Sequence, residues 1–341
     1  MELRQLGQCG LRVSALSLGA MTFGESSTFM KGVTSPDDEA RRVFDKAIDV
    51  GMNLVDTANI YGDGASEKLT GAWIAGKRDR VLLATKCRFP VTSGEHKAGP
   101  HEQGLSRQHI LQACEDSLRR LATDHIDLYQ VHMQDNAVPI DETMRALDDL
   151  VTQGKVRYVG CSNYTGYRLV EAAWSAERMR AHRFVAAQVQ WSLVERGLER
   201  EVIPACRLLQ MGTLIWSPLA AGFLSGKYKR SEAPPAGSRL DTWKDSFKSV
   251  SSKDQAWDVL DAVQAMAKRH ETTAAAVSLA WLLAKSEVSS IILGARTTLQ
   301  LDDNLRALSV KLSHEDVRSL DDVSKPKWGY PYDFIGGRQD W

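Results

Sequence analysis

Ile126-Asp127-Leu128-Tyr129-Gln130-Val131-His132, then Met144, Leu147 and Val151 on one helical face, then Val156-Arg157-Tyr158-Val159-Gly160-Cys161-Ser162: this stretch reads strand, helix, strand. The two strands start 30 residues apart. Each is almost continuously apolar, as a parallel strand covered on both faces must be. The alternation extends in both directions, with strands expected at 15–20, 53–58, 81–86, 186–191, 212–217 and 289–294. Amphipathic helices fall between them. Ala40, Val43, Phe44, Ala47 and Ile48 form one apolar face, with Ser35-Pro36 expected to cap the helix and Gly51 to stop it. Ile110, Leu111, Cys114, Leu118 and Leu121 repeat the pattern, as do Val259, Leu260, Val263, Met266 and Ala267.

Strand starts lie 26 to 45 residues apart, except for one gap of 77 that holds an extra segment, 220–252, expected to carry two helices. Eight βα units close most simply into a (β/α)8 TIM barrel, an α/β fold. An open doubly wound sheet is the alternative, but its G-x-G-x-x-G signature is absent. The nearest approach, Gly62-Asp63-Gly64-Ala65-Ser66-Glu67, has Glu67 in the third glycine's place. No linker rich in Pro, Gly or Ser divides the chain, so one domain over 1–341 is expected, with a barrel core of about 15–323 and a tail at 324–341. Leu3 to Val13 reads as a β-hairpin around Gly7-Gln8-Cys9-Gly10, a lid on one barrel end. The segments 21–36, 87–106 and 220–252 and the tail are long enough to be functional loops at the C-terminal face.

Composition narrows the function. The 341 residues carry 43 Lys+Arg against 43 Asp+Glu, which gives no electrostatic reason to expect nucleic acid or a membrane surface as partner. The N-terminus has no apolar signal core, and no apolar run reaches the roughly 18 residues that span a bilayer. Cys9, Cys87, Cys114, Cys161 and Cys206 are odd in number and scattered, so neither a disulfide framework nor a zinc site is expected. A cytoplasmic, metal-free protein fits this usage. The expected partners are a small molecule and, at most, further copies of the chain.

Polar residues at barrel strand ends carry the chemistry. Asp56 lies inside an apolar run, Tyr61 just past its end, Lys86 at the end of the third strand and His132 at the end of the fourth. Each alone reads better as a satisfied interior group, with Asp56 and Lys86 as a buried ion pair. Together at one barrel mouth they read as a site. A free phenol has a pKa of about 10, and a nearby ammonium lowers it. Lys86 can play that part for Tyr61, Asp56 can hold Lys86, and His132 can donate to the oxygen that Tyr61 protonates. That set suits carbonyl reduction, and a nicotinamide cofactor is then needed to deliver hydride.

At this point the sequence resembles the aldo-keto reductase superfamily over nearly its whole length. The resemblance rests on Asn53-Leu54-Val55-Asp56-Thr57-Ala58-Asn59-Ile60-Tyr61-Gly62, Ala84-Thr85-Lys86, Asp127-Leu128-Tyr129-Gln130-Val131-His132 and Gly154-Lys155-Val156-Arg157-Tyr158-Val159-Gly160-Cys161-Ser162-Asn163. Trp216-Ser217-Pro218-Leu219-Ala220-Ala221-Gly222 and Leu293-Gly294-Ala295-Arg296 complete it. It implies NADP(H) bound across the C-terminal face, NADPH in preference to NADH, and a tetrad of Asp56, Tyr61, Lys86 and His132 with Tyr61 as acid/base.

The resemblance also implies the cofactor contacts. Ser162, Asn163 and Gln188 meet the nicotinamide carboxamide, and Trp216 stacks on the ring. Asp56, Gly19 and Met21 lie against the cofactor, and Ser217, Pro218 and Leu219 shape the mouth. Gly222, Leu224 and Lys227 surround the pyrophosphate. Gly294, Arg296, Thr297, Gln300 and Asn304 hold the 2′-phosphate and adenine, with Arg296 as the fork for the phosphate and the helix N-terminus adding donors. Asp303 replaces the glutamate usual before Asn304, and residue 191 is Trp where many relatives have Tyr. For the substrate, the expected linings are Phe29, Phe89, Trp243, Trp328 and Tyr330, an aromatic rim suited to a fairly large, apolar or cyclic carbonyl compound. His96 and His101 read as surface residues. The function expected is NADPH-dependent, reversible reduction of aldehydes or ketones. The alternative is an NADP(H)-binding regulatory barrel similar to potassium-channel β subunits.

Overall fold

The computed structural model describes residues 1–26, 30–92 and 97–336. Two short antiparallel strands, β1 (Leu3–Gln5) and β2 (Arg12–Ser14), form the hairpin. The barrel strands follow as β3 (Leu16–Gly19), β4 (Leu54–Asp56), β5 (Leu82–Cys87), β6 (Ile126–Val131), β7 (Val156–Ser162), β8 (Ala186–Gln190), β9 (Gly212–Trp216) and β10 (Val288–Leu293). They pair in parallel in the order β10-β3-β4-β5-β6-β7-β8-β9, and β9 closes on β10. This is the eight-stranded barrel that the alternation of periods predicts.

Helices α1 (Asp37–Asp49), α2 (Ala65–Ile74), α3 (Arg107–Leu121), α4 (Ile140–Thr152), α5 (Gly166–Met179) and α6 (Val202–Leu209) each connect two neighbouring strands. The long β9–β10 connection carries α7 (Arg239–Thr242) and α8 (Lys244–Ser251), the two expected extra helices, before α9 (Asp254–Arg269) and α10 (Ala274–Leu283). Helix α11 (Thr298–Leu305) follows β10. Alternate residues of each strand face helices or barrel interior. Outward Leu16, Leu18, Val55, Leu83 and Val159 join the main core with Val43, Phe44, Ile110 and Leu147. Inward Leu54, Ala84, Leu128, Ala186, Leu214 and Ile292 form a second, smaller cluster.

That inner cluster shows which end the hairpin closes. Leu6 and Val13 are fully buried within it. Gly7 then meets the start of β9, where an added Cβ would lie 2.5 Å from the Gly212 nitrogen and 2.7 Å from the Gln210 oxygen, and its φ is +59°. The hairpin therefore plugs the N-terminal end and leaves the C-terminal end open. Gly7→Ala is expected to cost about 1–3 kcal/mol by overpacking. Gly76→Ala, with φ +76° but nothing within 4 Å, isolates the cost of backbone strain. Equal thermal midpoints for the two variants would remove the plug's claim to close contact.

The start of α1 differs from expectation. Pro36, not Ser35, precedes the helix, and there is no side-chain cap. Ser35 Oγ instead donates to the Arg296 carbonyl at 3.1 Å. Asp37, Asp38 and Glu39 in the first turn compensate the helix dipole.

Candidate active site

The inner cluster ends one layer below the open face, and the next inward positions are polar. They are Asp56 on β4, Lys86 on β5, Gln130 on β6 and Gln188 on β8, each at most 3% exposed. A buried charge must be paired and hydrogen-bonded, and these are. Lys86 Nζ donates to Asp56 Oδ1 at 2.5 Å and to the Thr57 carbonyl at 2.8 Å. The second carboxylate oxygen, Oδ2, accepts from Gln188 at 2.8 Å and from Gln130 at 3.1 Å.

Tyr61 opens a tight turn soon after β4, Tyr61–Gly64, whose Gly62 and Asp63 take φ of +56° and +54°. Lys86 Nζ then lies 3.3 Å from the phenol oxygen and 4.8 Å from the ring centroid. His132, just past β6, sets its ring edge-to-face at 5.7 Å from Tyr61 and at 5.2 Å from Phe89.

Electrostatics refine the sequence argument. Burial raises the Tyr61 pKa, Lys86 lowers it and Asp56 raises it; the sum is above 10.0. Lys86 thus limits the rise without bringing the phenol below its ordinary value. Burial opposes the charge on Lys86, but Asp56 and Tyr61 outweigh it, and its pKa lies above 10.5. His132 is held well below 6.5 by burial and by Lys86 and Arg88. It is neutral at pH 7. Its Nδ1 is buried without a partner among the described residues. An orphaned lone pair costs less than an orphaned N–H, so the proton belongs on Nε2.

A depressed histidine pKa contributes stability that is present above about pH 6.5 and lost as pH falls through the folded value. The wild type is therefore expected to lose stability below pH 6.5 by up to about 1.4 kcal/mol per pH unit from this group. His132→Gln should flatten that limb. Chemical denaturation at pH 7.5 and pH 5.5 checks it, and parallel losses in the two proteins would contradict it.

Above these groups opens a cavity of about 810 Å³. Asp56, Tyr61 and His132 line it, with Gly19, Met21, Ser162, Asn163 and Gln188 around them. Trp216, Ser217, Pro218, Leu219 and Gly222 form one wall; Lys227, Gly294, Arg296, Gln300 and Asn304 lie at the far end. Phe89 and Trp243 also line the cavity. Lys86 is fully buried behind the lining, and Leu224 is fully buried in the main core.

Trp328 and Tyr330 do not line the cavity; Tyr330 is exposed, near Phe334. Phe29 and His96 lie outside the described residues. Asn163 already donates through Nδ2 to the His132 carbonyl at 2.9 Å, which leaves its Oδ1. Two donors at the start of α11, and the Arg296 nitrogen before it, are also engaged. Glu39 accepts from the Thr298 nitrogen, Thr297 Oγ1 from the Gln300 nitrogen, and Gln300 Oε1 from the Arg296 nitrogen. A carboxylate from α1 thus occupies the helix end that the sequence offers to a phosphate.

Cationic side chains hold the far end instead. Arg296 donates to the Gly237 carbonyl at 3.0 Å. Arg239, on α7, is pushed down to about 10 by burial and by Arg296. Lys227 is lowered by burial and by both arginines. Like charges converge here at a cost that an anion would relieve. Sequence reading misses Arg239 altogether, and also Gln130, whose signal was available: a polar residue in an apolar strand, two before His132 and so on its face.

The chain also matches known proteins. The profile described as Aldo/keto reductase family covers residues 15–325. The oxidoreductase YrpG of Bacillus subtilis, itself described as uncharacterized, is 39% identical over 95% of this chain and 96% of its own. The versiconal hemiacetal acetate reductase of Aspergillus parasiticus is 32% identical over 97% and 99%. A protein of Schizosaccharomyces pombe provisionally named voltage-gated potassium channel subunit beta is 32% identical over 94% and 92%. Among the described residues no helix is long and apolar enough to cross a membrane.

Proposed function

The chain belongs to the aldo/keto reductase family, and on that premise we propose that it reduces aldehydes or ketones with NADPH, with Tyr61 giving the proton. The observation that carries this reading is Lys86 Nζ in contact with both Asp56 and the Tyr61 phenol, beneath a cavity that Tyr61 shares with His132. The family typically uses nicotinamide cofactors, and such a group, when bound, supplies the hydride.

The residues present fit that group. Lys227, Arg239 and Arg296 supply positive charge for its phosphates, with no ion-pair partner among the described residues. Gly222, with φ +94°, and Gly294 leave the backbone bare beside Lys227 and Arg239. Trp216 offers a ring face and an indole nitrogen that is buried without a partner among the described residues. Ser162, Asn163 and Gln188 offer amide and hydroxyl groups around the same mouth.

Each protein group then has a task. His132 donates from Nε2 to the carbonyl oxygen and fixes its place. As that oxygen gains negative charge, Tyr61 transfers its phenolic proton to it. The phenolate left behind is stabilised by Lys86, whose own charge Asp56 holds in place. Phe89 and Trp243 in the lining favour apolar, ring-containing carbonyl compounds. Loss of NADPH absorbance against aryl aldehydes, cyclic ketones and sugars tests the reading. The alternative, a regulatory barrel, draws on the likeness to the channel-subunit relative and predicts NADPH binding without turnover.

Cofactor choice gives a further expectation. The 2′-phosphate carries nearly two charges, and charge-assisted hydrogen bonds contribute on the order of 1.5–3 kcal/mol each. Arg296→Ala should weaken NADPH binding by about ten- to a hundred-fold and leave NADH almost unchanged. Dissociation constants for both cofactors at one ionic strength check this. Equal weakening would mean that Arg296 only holds the loop through Gly237.

A further inference from the structure

Gln130 has no task in the reaction just described, yet it is fully buried in the polar layer of the barrel. Its Nε2 donates to Asp56 Oδ2 at 3.1 Å, and its Oε1 accepts from Gln188 Nε2 at 3.3 Å. Gln188 Nε2 also donates to Asp56 Oδ2 at 2.8 Å. Asp56, Gln130 and Gln188 therefore close a triangle, and Asp56 keeps Oδ1 for Lys86. The neighbouring strand makes room for it. Gly160 on β7 pairs with Gln130, and an added Cβ there would lie 3.3 Å from Gln130 Cγ and 3.1 Å from the Ala186 oxygen. An apolar side chain could fill the same space. A buried amide is stable there only because both its ends are bonded.

We infer that Gln130 is a positioning residue: it fixes the amide of Gln188 with its carbonyl oxygen toward the cavity, and it holds Asp56 square to Lys86. An amide nitrogen has two protons. Gln188 spends one on Asp56 and one on Gln130, so the end left for the cavity is an acceptor only. Turned over, Gln188 would set its carbonyl against a carboxylate and a second carbonyl. The cavity that Tyr61 and His132 line thus presents a fixed acceptor, suited to a ligand amide N–H. Its value for turnover rests on the proposed reading of Asp56, Lys86 and Tyr61.

Two variants of similar volume test it. Gln130→Met removes both hydrogen bonds without opening a cavity. It should weaken NADPH binding about ten-fold and lower turnover by about ten- to a hundred-fold at every pH. Gln130→Glu puts a carboxyl beside Asp56, with Lys86 beyond it and Gln188 opposite. Protonated, it reproduces the donor and acceptor of glutamine; ionised, it sets two carboxylates against each other. Its turnover relative to wild type should be close to one at low pH and fall as pH rises. A space-filling role would leave Gln130→Met near wild type and Gln130→Glu without pH dependence relative to wild type.

Gln130→Met within two-fold of wild type, in both NADPH affinity and turnover, would overturn the inference. If it does not fold, the pH dependence of Gln130→Glu decides. Tyr61→Phe measured alongside separates the two claims. Should that variant turn over like wild type, the proposed reaction falls. The role of Gln130 is then judged on NADPH affinity alone, a ten-fold loss upholding it and no change overturning it.

Discussion

Tyr61→Phe is expected to lower turnover about 10²–10⁴-fold, the usual contribution of a general acid, and to leave NADPH affinity nearly unchanged. The substitution removes one oxygen and keeps the ring that meets His132 edge-to-face. Lys86 loses its 3.3 Å contact with the phenol but keeps Asp56 and the Thr57 carbonyl. Neither the barrel nor the cation cluster at the far end of the cavity depends on that oxygen. Steady-state rates and a fluorescence titration with NADPH separate chemistry from binding. Activity within a few-fold of wild type would remove Tyr61 from its role.

Lys86→Met should be as damaging to turnover, about 10²–10⁴-fold, and should also destabilise the fold. Methionine fills the space of the lysine stem but leaves Asp56 as a buried carboxylate with only two amide donors. Breaking a buried pair from one side costs about 3–5 kcal/mol. Adding Asp56→Asn removes the stranded charge, so the double variant should regain stability without regaining activity. If the double variant recovers activity as well, the pair is structural. The pH dependence has a defined sign. The pKa of Lys86 is raised, so its contribution is complete below 10.5 and lost as pH rises through the folded value. Tyr61 is raised too and acts in the same direction above 10.0. The alkaline decline in wild-type stability should be shallower in Lys86→Met.

The barrel was legible because its cause is local. Parallel strands buried on both faces read as short apolar runs, and amphipathic helices read by their period, so eight units stand out whatever the loops do. Asp56, Lys86 and His132 were legible for the same reason, as polar residues where an apolar strand should continue. Gln130 satisfies the same criterion, but an amide inside a strand draws less notice than a charge. Arg239 left no local signal: it follows Pro234-Pro235 in the long β9–β10 connection, and it reaches the cavity only because that connection folds back over the barrel mouth. Aromatic character alone places Trp328 and Tyr330 in the pocket. The described part of the tail instead runs beside α9 and the turn before α6, where Gln255 donates to the Lys325 carbonyl at 2.8 Å and Arg200 lies 4.9 Å over the Tyr332 ring. The start of α11 shows a third limit. The resemblance sets Thr297 and the helix N-terminus on the cofactor's phosphate, but only the folded chain reveals that Thr297 caps α11 and that Glu39 already holds the next nitrogen.

The most direct measurement is a single turnover of the wild-type chain loaded with NADPH and mixed with a ring-containing aldehyde. The account predicts loss of NADPH absorbance with one equivalent of alcohol formed, and no such loss on that timescale with Tyr61→Phe. NADPH held tightly with no alcohol formed across the carbonyl panel, in wild type and variant alike, would contradict it.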